Sequence, residues 1–231
     1  MKPRIGILSK TYGNRFGANL AYLRFWEDLV PPTSIELVNS LSDKVRTDIN
    51  VLVLIGGPDI CAGSAVPSVS TGIHDPRLEW FDSNMLPQYW EMAEEGKLSI
   101  LGICRGLQAV NKFLGGEIDQ DFPYAYSGDT RWKEVEELNI HNTDLFNGKI
   151  PKKFEVNSLH HQGIYTQQLS DALEVVATSK PHGNVEIAIN KEGDVPFFLG
   201  CQYHPEELLY HEHSVPLIVN WLRTNGLEIN P

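Results

Sequence analysis

The chain has 231 residues, of which 42% are hydrophobic, 10% aromatic and 21% charged, an ordinary globular composition with enough apolar residues for one substantial core. Nineteen Lys and Arg against thirty Asp and Glu leave a net charge of −11, a sign that repels phosphate backbones and anionic lipid and argues against nucleic-acid and membrane partners. The longest apolar run, Ile49 to Ile55 with Asn50 inside it, falls far short of the roughly 20 residues a spanning helix needs, and the first ten residues do not read as a signal peptide.

Hydrophobic runs of strand length alternate with segments of helical period, the pattern of an α/β fold whose parallel sheet is covered by helices on both faces. In chain order, Arg4–Leu8 reads as a buried strand and Leu20–Leu29 as a helix. Asn50–Ile55 reads as a strand ending in the sharp turn Gly56-Gly57-Pro58. An irregular stretch over 61–73 precedes one long helix over Arg77–Gly96, then a strand over Leu98–Ile103 and a helix over Arg105–Leu114 stopped by Gly115-Gly116. Beyond Ile118 three strands are expected, Glu174–Ala177, Val185–Asn190 and Phe197–Gln202, followed by a helix over Ser214–Arg223 capped by Ser214. No linker, repeat or low-complexity tract divides the chain, so residues 1–231 are expected to form a single domain.

Gly102-Ile103-Cys104-Arg105-Gly106 stands between a buried strand and an amphipathic helix, the setting of a nucleophile elbow. The flanking glycines remove side chains that would crowd a strained turn, and the helix N-terminus favours a thiolate, so Cys104 is expected to carry a depressed pKa. The plain alternative is a buried cysteine beside two unrelated glycines. His204, in Gly200-Cys201-Gln202-Tyr203-His204-Pro205-Glu206 at the end of a strand, is the candidate base. In extended backbone Glu206 lies on its side and can orient the imidazole, giving a nucleophile, base and orienting carboxylate in the order Cys, His, Glu. The amides of Arg105 and Gly57 are candidate oxyanion donors, although alone Gly56-Gly57-Pro58 would be a plain turn.

Three widely spaced cysteines, Cys61, Cys104 and Cys201, match neither a disulfide framework nor zinc-ligand pairs, so a reducing cytoplasm is the expected compartment. His74, His141, His160, His161, His182, His211 and His213 have no Cys or Asp partners at ligand spacing in the sequence, so no metal site is expected.

Five ordered blocks together resemble the class I glutamine amidotransferase-like superfamily and, within it, the γ-glutamyl hydrolase group of cysteine peptidases (peptidase C26). They are Gly56-Gly57-Pro58-Asp59-Ile60, Gly102-Ile103-Cys104-Arg105-Gly106-Leu107-Gln108, Phe113-Leu114-Gly115-Gly116, Asn157-Ser158-Leu159-His160-His161-Gln162-Gly163 and Gly200 to Glu206. The resemblance implies a flavodoxin-like fold, a Cys104, His204, Glu206 triad, and an oxyanion hole at Gly57 and Arg105. It also implies a γ-glutamyl pocket drawing on Gln108, Asn157, Ser158, Leu159 and His160. Departures from the hydrolase pattern fall at Leu54-Ile55, in the 61–73 loop and around Asp75-Pro76-Arg77 and Glu79, the region of the leaving-group pocket.

The activity implied is a cofactor-independent amidase that cleaves a small γ-glutamyl metabolite through a Cys104 thioester. The alternatives are a glutaminase subunit that hands ammonia to a separate synthetase, and a non-catalytic binding protein on the same fold. Asp59, Asp75, Asp119 and Asp121 could receive a cationic leaving amine, although acidic surface residues are expected at this net charge.

Overall fold

The computed structural model describes residues 1–12, 15–61, 74–121, 135–146, 150–151, 153–207 and 211–229. Its centre is a run of parallel strands whose residues alternate between two buried faces. β1 (Ile5–Tyr12) pairs in parallel with β3 (Ile35–Asn39) and β4 (Val51–Leu54), β4 with β5 (Ser99–Ile103), and β5 with β10 (Phe198–Cys201). Beyond β10 the pairing turns antiparallel through β9 (Val185–Asn190), β8 (Leu173–Ser179), β6 (Val135–Ile140) and β7 (Glu155–Asn157). The short β2 (Arg15–Gly17) folds back on the end of β1.

The period of two along each strand sorts the core into halves. Ile5, Ile7, Val51, Val53, Leu101 and Ile103 face Phe25 and Trp26 of α1 (Leu20–Glu27) and Ile218 and Trp221 of α5 (His211–Thr224). Leu8, Leu52, Leu54 and Ile100 face the other way, onto α2 (Pro76–Asn84), α3 (Leu86–Glu94) and α4 (Arg105–Phe113). Helices therefore cover both faces of a mostly parallel central sheet, as the alternation of apolar runs predicts.

Several local expectations need correction. The single helix over 77–96 is two helices broken at Met85, because Pro87 has no N–H to give the Ser83 carbonyl one turn back. Ser214 does not cap the last helix but lies fully buried inside it, since α5 begins at His211. β3 and β6 were not expected: β3 exposes three of its five residues and β6 two of its six, and charged residues such as Glu36, Glu136 and Glu137 hide their alternation. Of the irregular stretch over 61–73, all but Cys61 lies outside the described residues.

Candidate active site

β5 delivers Cys104 to the sheet's C-terminal edge, where open α/β sheets bind ligands. Cys104 has φ 50° and ψ −105°, a strained conformation for a residue with a side chain. Two glycines make the turn feasible. A Cβ on Gly106 would lie 2.3 Å from the Leu54 carbonyl oxygen, and one on Gly102 would lie 2.9 Å from the backbone of Gly106 and Leu107. Backbone atoms cannot step aside, so glycine is required at both positions. The Cys104 amide donates to the Cys201 carbonyl at 2.7 Å, tying the elbow to β10 and hence to the histidine that follows it.

β10 ends at Cys201, and Gln202 to Glu207 forms bends and turns, so His204 and Glu206 are not brought together by strand alternation as expected from the sequence. The turn through Pro205 achieves it, and His204 Nδ1 donates to Glu206 Oε1 at 2.7 Å. The ring's other nitrogen remains for the sulfur, and the charges of His204 and Cys104 act on one another. Gly56 leaves room for this ring, since a Cβ there would lie 2.6 Å from His204 Cε1. Tyr22 of α1 braces both partners: its hydroxyl accepts the Gly56 N–H at 2.9 Å and stands beside Glu206.

The three cysteines differ sharply in electrostatics. Burial raises Cys201 to about 12, and burial with the Glu79 carboxylate raises Cys61. Burial also pushes Cys104 up, but His204 through charge and hydrogen bond, His160 and the Arg105 amide more than offset it, leaving its thiol below the ordinary value. His204 moves the opposite way. Burial works against its charge, yet Glu206 and Cys104 hold it well above the usual imidazole range. The two shifts run in the directions that favour thiolate on Cys104 and imidazolium on His204. Cys104 is 8% exposed, so the sulfur is reachable but largely shielded from water.

Of the two expected oxyanion donors, Arg105 acts on the sulfur through its backbone amide, and Gly57 is placed by its contact with Arg105. The Arg105 amide points at Cys104, while its guanidinium is fixed below by Asp82 at 2.7 Å. Gly57 lies against that side chain, since a Cβ on it would meet Arg105 Cδ at 3.1 Å.

The expected substrate-binding residues divide. Asn157 is engaged with His204: its Nδ2 donates to the His204 carbonyl and its Oδ1 accepts the His204 N–H, each at 2.9 Å. Gln108 uses its Nε2 on the Gln162 carbonyl at 2.9 Å and on Gln202 Oε1 at 3.1 Å. These two side chains hold the site together; one N–H and one lone pair of the Asn157 amide remain beyond its two bonds to His204. Ser158 keeps a buried hydroxyl with no hydrogen-bond partner among the described residues, Leu159 is half-buried, and His160 is buried against Glu186.

Gln202 was not singled out from the sequence, although it sits in the quoted histidine block; fully buried, its Nε2 donates to Cys104 Sγ at 3.5 Å. Lys10, at the end of β1, was also missed, and its ammonium feels the charges of Cys104, Glu206 and Asp75. No sequence signal distinguishes it from any other strand-end lysine.

Asp59 and Asp121 both face His161, at 2.9 and 3.6 Å, so that histidine partly occupies the acidic group suggested for a cationic amine. The histidines are not all without ligand-type neighbours. Cys61, His74 and Glu79 bring their donor atoms within 4.8 Å of one another, a proximity created by α2 and invisible in the spacing. A cavity of about 700 Å³ opens at the opposite end of the strands, around Asn50, Trp90, Ser99 and Phe197, away from Cys104.

The peptidase C26 family model matches residues 30–206, which include the elbow, the Asn157 segment and the His204 turn. The chain belongs to the peptidase C26 family. This places it in the class I glutamine amidotransferase-like superfamily. A glutamine amidotransferase-like protein of Lactococcus lactis is 32% identical over 178 residues, covering 72% of this chain and 70% of that protein. The glutamine-hydrolyzing GMP synthase component of Methanobrevibacter smithii is 31% identical over 196 residues, covering 84% and 81%. Among solved structures, PurLQS from Thermotoga maritima superimposes with a TM-score of 0.60 at 21% identity, covering 96% of this chain and 100% of that one. A glutamine amidotransferase from the same organism gives 0.57 at 16% identity, covering 99% and 87%. These two likenesses show the fold.

Proposed function

We propose that this chain is a cofactor-independent cysteine amidohydrolase that cleaves the γ-glutamyl amide bond of a small metabolite. One observation carries the reading: Cys104, strained and depressed in pKa, is paired with a His204 that Glu206 orients at 2.7 Å.

The chemistry follows from those positions. The Cys104 thiolate attacks the γ-carbonyl carbon, forming a C–S bond, and the oxyanion gathers at the Arg105 and Gly57 amides. As the C–N bond breaks, the His204 imidazolium gives its proton to the departing nitrogen. Neutral His204 then takes a proton from water, whose oxygen attacks the thioester, the C–S bond breaks and glutamate leaves. The thiolate and imidazolium are thereby restored. Such a nucleophile needs a reducing compartment, for which we take the cytoplasm, and the three cysteines are free thiols. Among the described residues no helix is long and apolar enough to cross a membrane.

A second reading has support of its own in the likeness to the GMP synthase component of M. smithii: a glutaminase that passes ammonia to a separate synthetase. Assaying glutamate release by the purified chain, from glutamine and a panel of γ-glutamyl amines and peptides, separates the two. Selective turnover of one γ-glutamyl compound supports the hydrolase. Silence across the panel, with glutaminase activity appearing only when a synthetase is added, replaces it with the second reading.

A further inference from the structure

His160 and Glu186 form a histidine and carboxylate pair that the proposed chemistry leaves unused. His160 is 6% exposed and Glu186 is 1% exposed. The Gln162 carbonyl can only accept, so at 2.9 Å it requires a proton on His160 Nδ1. On the far side of the ring, Nε2 lies 3.6 Å from Glu186 Oε1. A lone pair there would face the lone pairs of a carboxylate, whereas a second ring proton faces them favourably. The geometry fits an imidazolium held between a carbonyl and a carboxylate.

This cation bears on the nucleophile. His160 and Cys104 each act on the other's charge, and burial of His160, which opposes its charge, is outweighed by Glu186 and Cys104. Among the described groups that face His160 are Glu186 from β9, Cys104 from the elbow and the Gln162 carbonyl. Burial and the charge of Glu136 of β6 raise Glu186, while His160 and Asn184, whose Nδ2 donates to Oε1 at 2.5 Å, favour its ionised form. His182 stands beyond Glu136, 3.7 Å from it. The same Gln162 carbonyl accepts from Gln108, which reaches Cys104 Sγ through Gln202, so His160 belongs to a continuous hydrogen-bonded frame around the sulfur.

We propose that Glu186 is a positioning residue that keeps His160 cationic beside Cys104, so that the thiolate is supported by two histidine and carboxylate pairs, His204 with Glu206 and His160 with Glu186. The second pair supplies charge and needs no proton transfer in turnover. The proposal rests on Cys104 being the nucleophile, but on no particular substrate.

The test is the rate of iodoacetamide alkylation of Cys104 against pH, followed by mass spectrometry of its peptide in the full chain. Glu186→Gln keeps the shape and removes the charge. It is expected to move the profile to higher pH by roughly one unit, slowing alkylation on the low-pH flank about tenfold. His160→Gln should shift the profile the same way, and the double variant no further than Glu186→Gln, because each ends with the imidazolium charge beside Cys104 gone. A Glu186→Gln profile that superimposes on the wild type or moves to lower pH overturns the proposal, as does a double variant whose shifts add.

Should Glu186→Gln fail to fold, imidazole nitrogen chemical shifts of His160 in the wild type decide. Imidazolium shifts at neutral pH support the proposal, and a neutral ring there overturns it. A wild-type Cys104 that alkylates only as a free thiol would instead sink the nucleophile reading itself, a different result from wild-type activation that ignores Glu186.

Discussion

Asn157 grips His204 by its backbone on both sides, donating to the carbonyl and accepting from the amide at 2.9 Å each. The end of β7 is thereby fastened to the turn after β10, and the imidazole is set by two anchors: Asn157 on the main chain and Glu206 on the ring. Replacing Asn157 with Ala should remove two largely buried hydrogen bonds, at a cost of about 1–3 kcal/mol measured by urea unfolding. It should lower kcat about tenfold or more while leaving KM nearly unchanged, because the base and not the substrate is displaced. A raised KM at unchanged kcat would assign Asn157 to the substrate instead.

The strain at Cys104 predicts a contrast between two inactive variants. Glycine adopts the positive φ of the elbow without a Cβ penalty, whereas alanine keeps the strain. Cys104→Gly should therefore be more stable than Cys104→Ala by about 1 kcal/mol, visible as a higher Tm. Equal melting temperatures would mean that the elbow carries no strain of consequence.

Gly106→Ala should be far worse than an ordinary glycine replacement in a helix. Its Cβ would sit 2.3 Å from the Leu54 carbonyl oxygen, and relief requires β4 and α4 to part. We expect a loss of about 2 kcal/mol or more in denaturant unfolding, with alkylation of Cys104 slowed as the elbow shifts. A variant with wild-type stability and reactivity would show that the two elements are not so closely packed.

The opposite shifts of Cys104 and His204 define a pH window. The folded thiol lies below its unfolded value, so its contribution to stability is present above that unfolded value and is lost as pH falls through the folded one. The folded imidazole lies above its unfolded value, so its contribution is full below that unfolded value and is lost as pH rises through the folded one. Both shifts favour the ion pair over the neutral pair, and Cys104 should alkylate with an apparent pKa below the free-thiol value of about 8.5. Glu206→Gln removes the carboxylate that sustains His204, so the alkaline limit of kcat should move to lower pH. An unchanged limit would show that Glu206 does not hold the imidazolium.

Much of this site is legible in the sequence because its chemistry is encoded locally. Cys104 between two glycines, and Glu206 two residues from His204, each declare an arrangement that short-range geometry enforces. The alternation of Ile5, Leu52, Val53 and Ile100 likewise exposes the central sheet. What escaped is tertiary. Gln202 looks like any polar residue after a strand, and Asn157 and Gln108 show polarity but not whether they face a substrate or, as Asn157 does His204 and Gln108 does Gln202, other residues of the site. His74 meets Cys61 and Glu79 only because α2 folds over the end of β4. The break at Met85 was available in Pro87, yet the apolar period on either side of it masked the interruption.

The central claim is that a γ-glutamyl group passes through the sulfur of Cys104, and the direct measurement is mass spectrometry of the protein quenched in acid during turnover of a γ-glutamyl substrate. The account predicts a γ-glutamyl adduct on the Cys104 peptide that appears during turnover, decays as substrate is exhausted and is absent from Cys104→Ala. Glutamate release by Cys104→Ala at the wild-type rate, or an adduct on another residue, would contradict it.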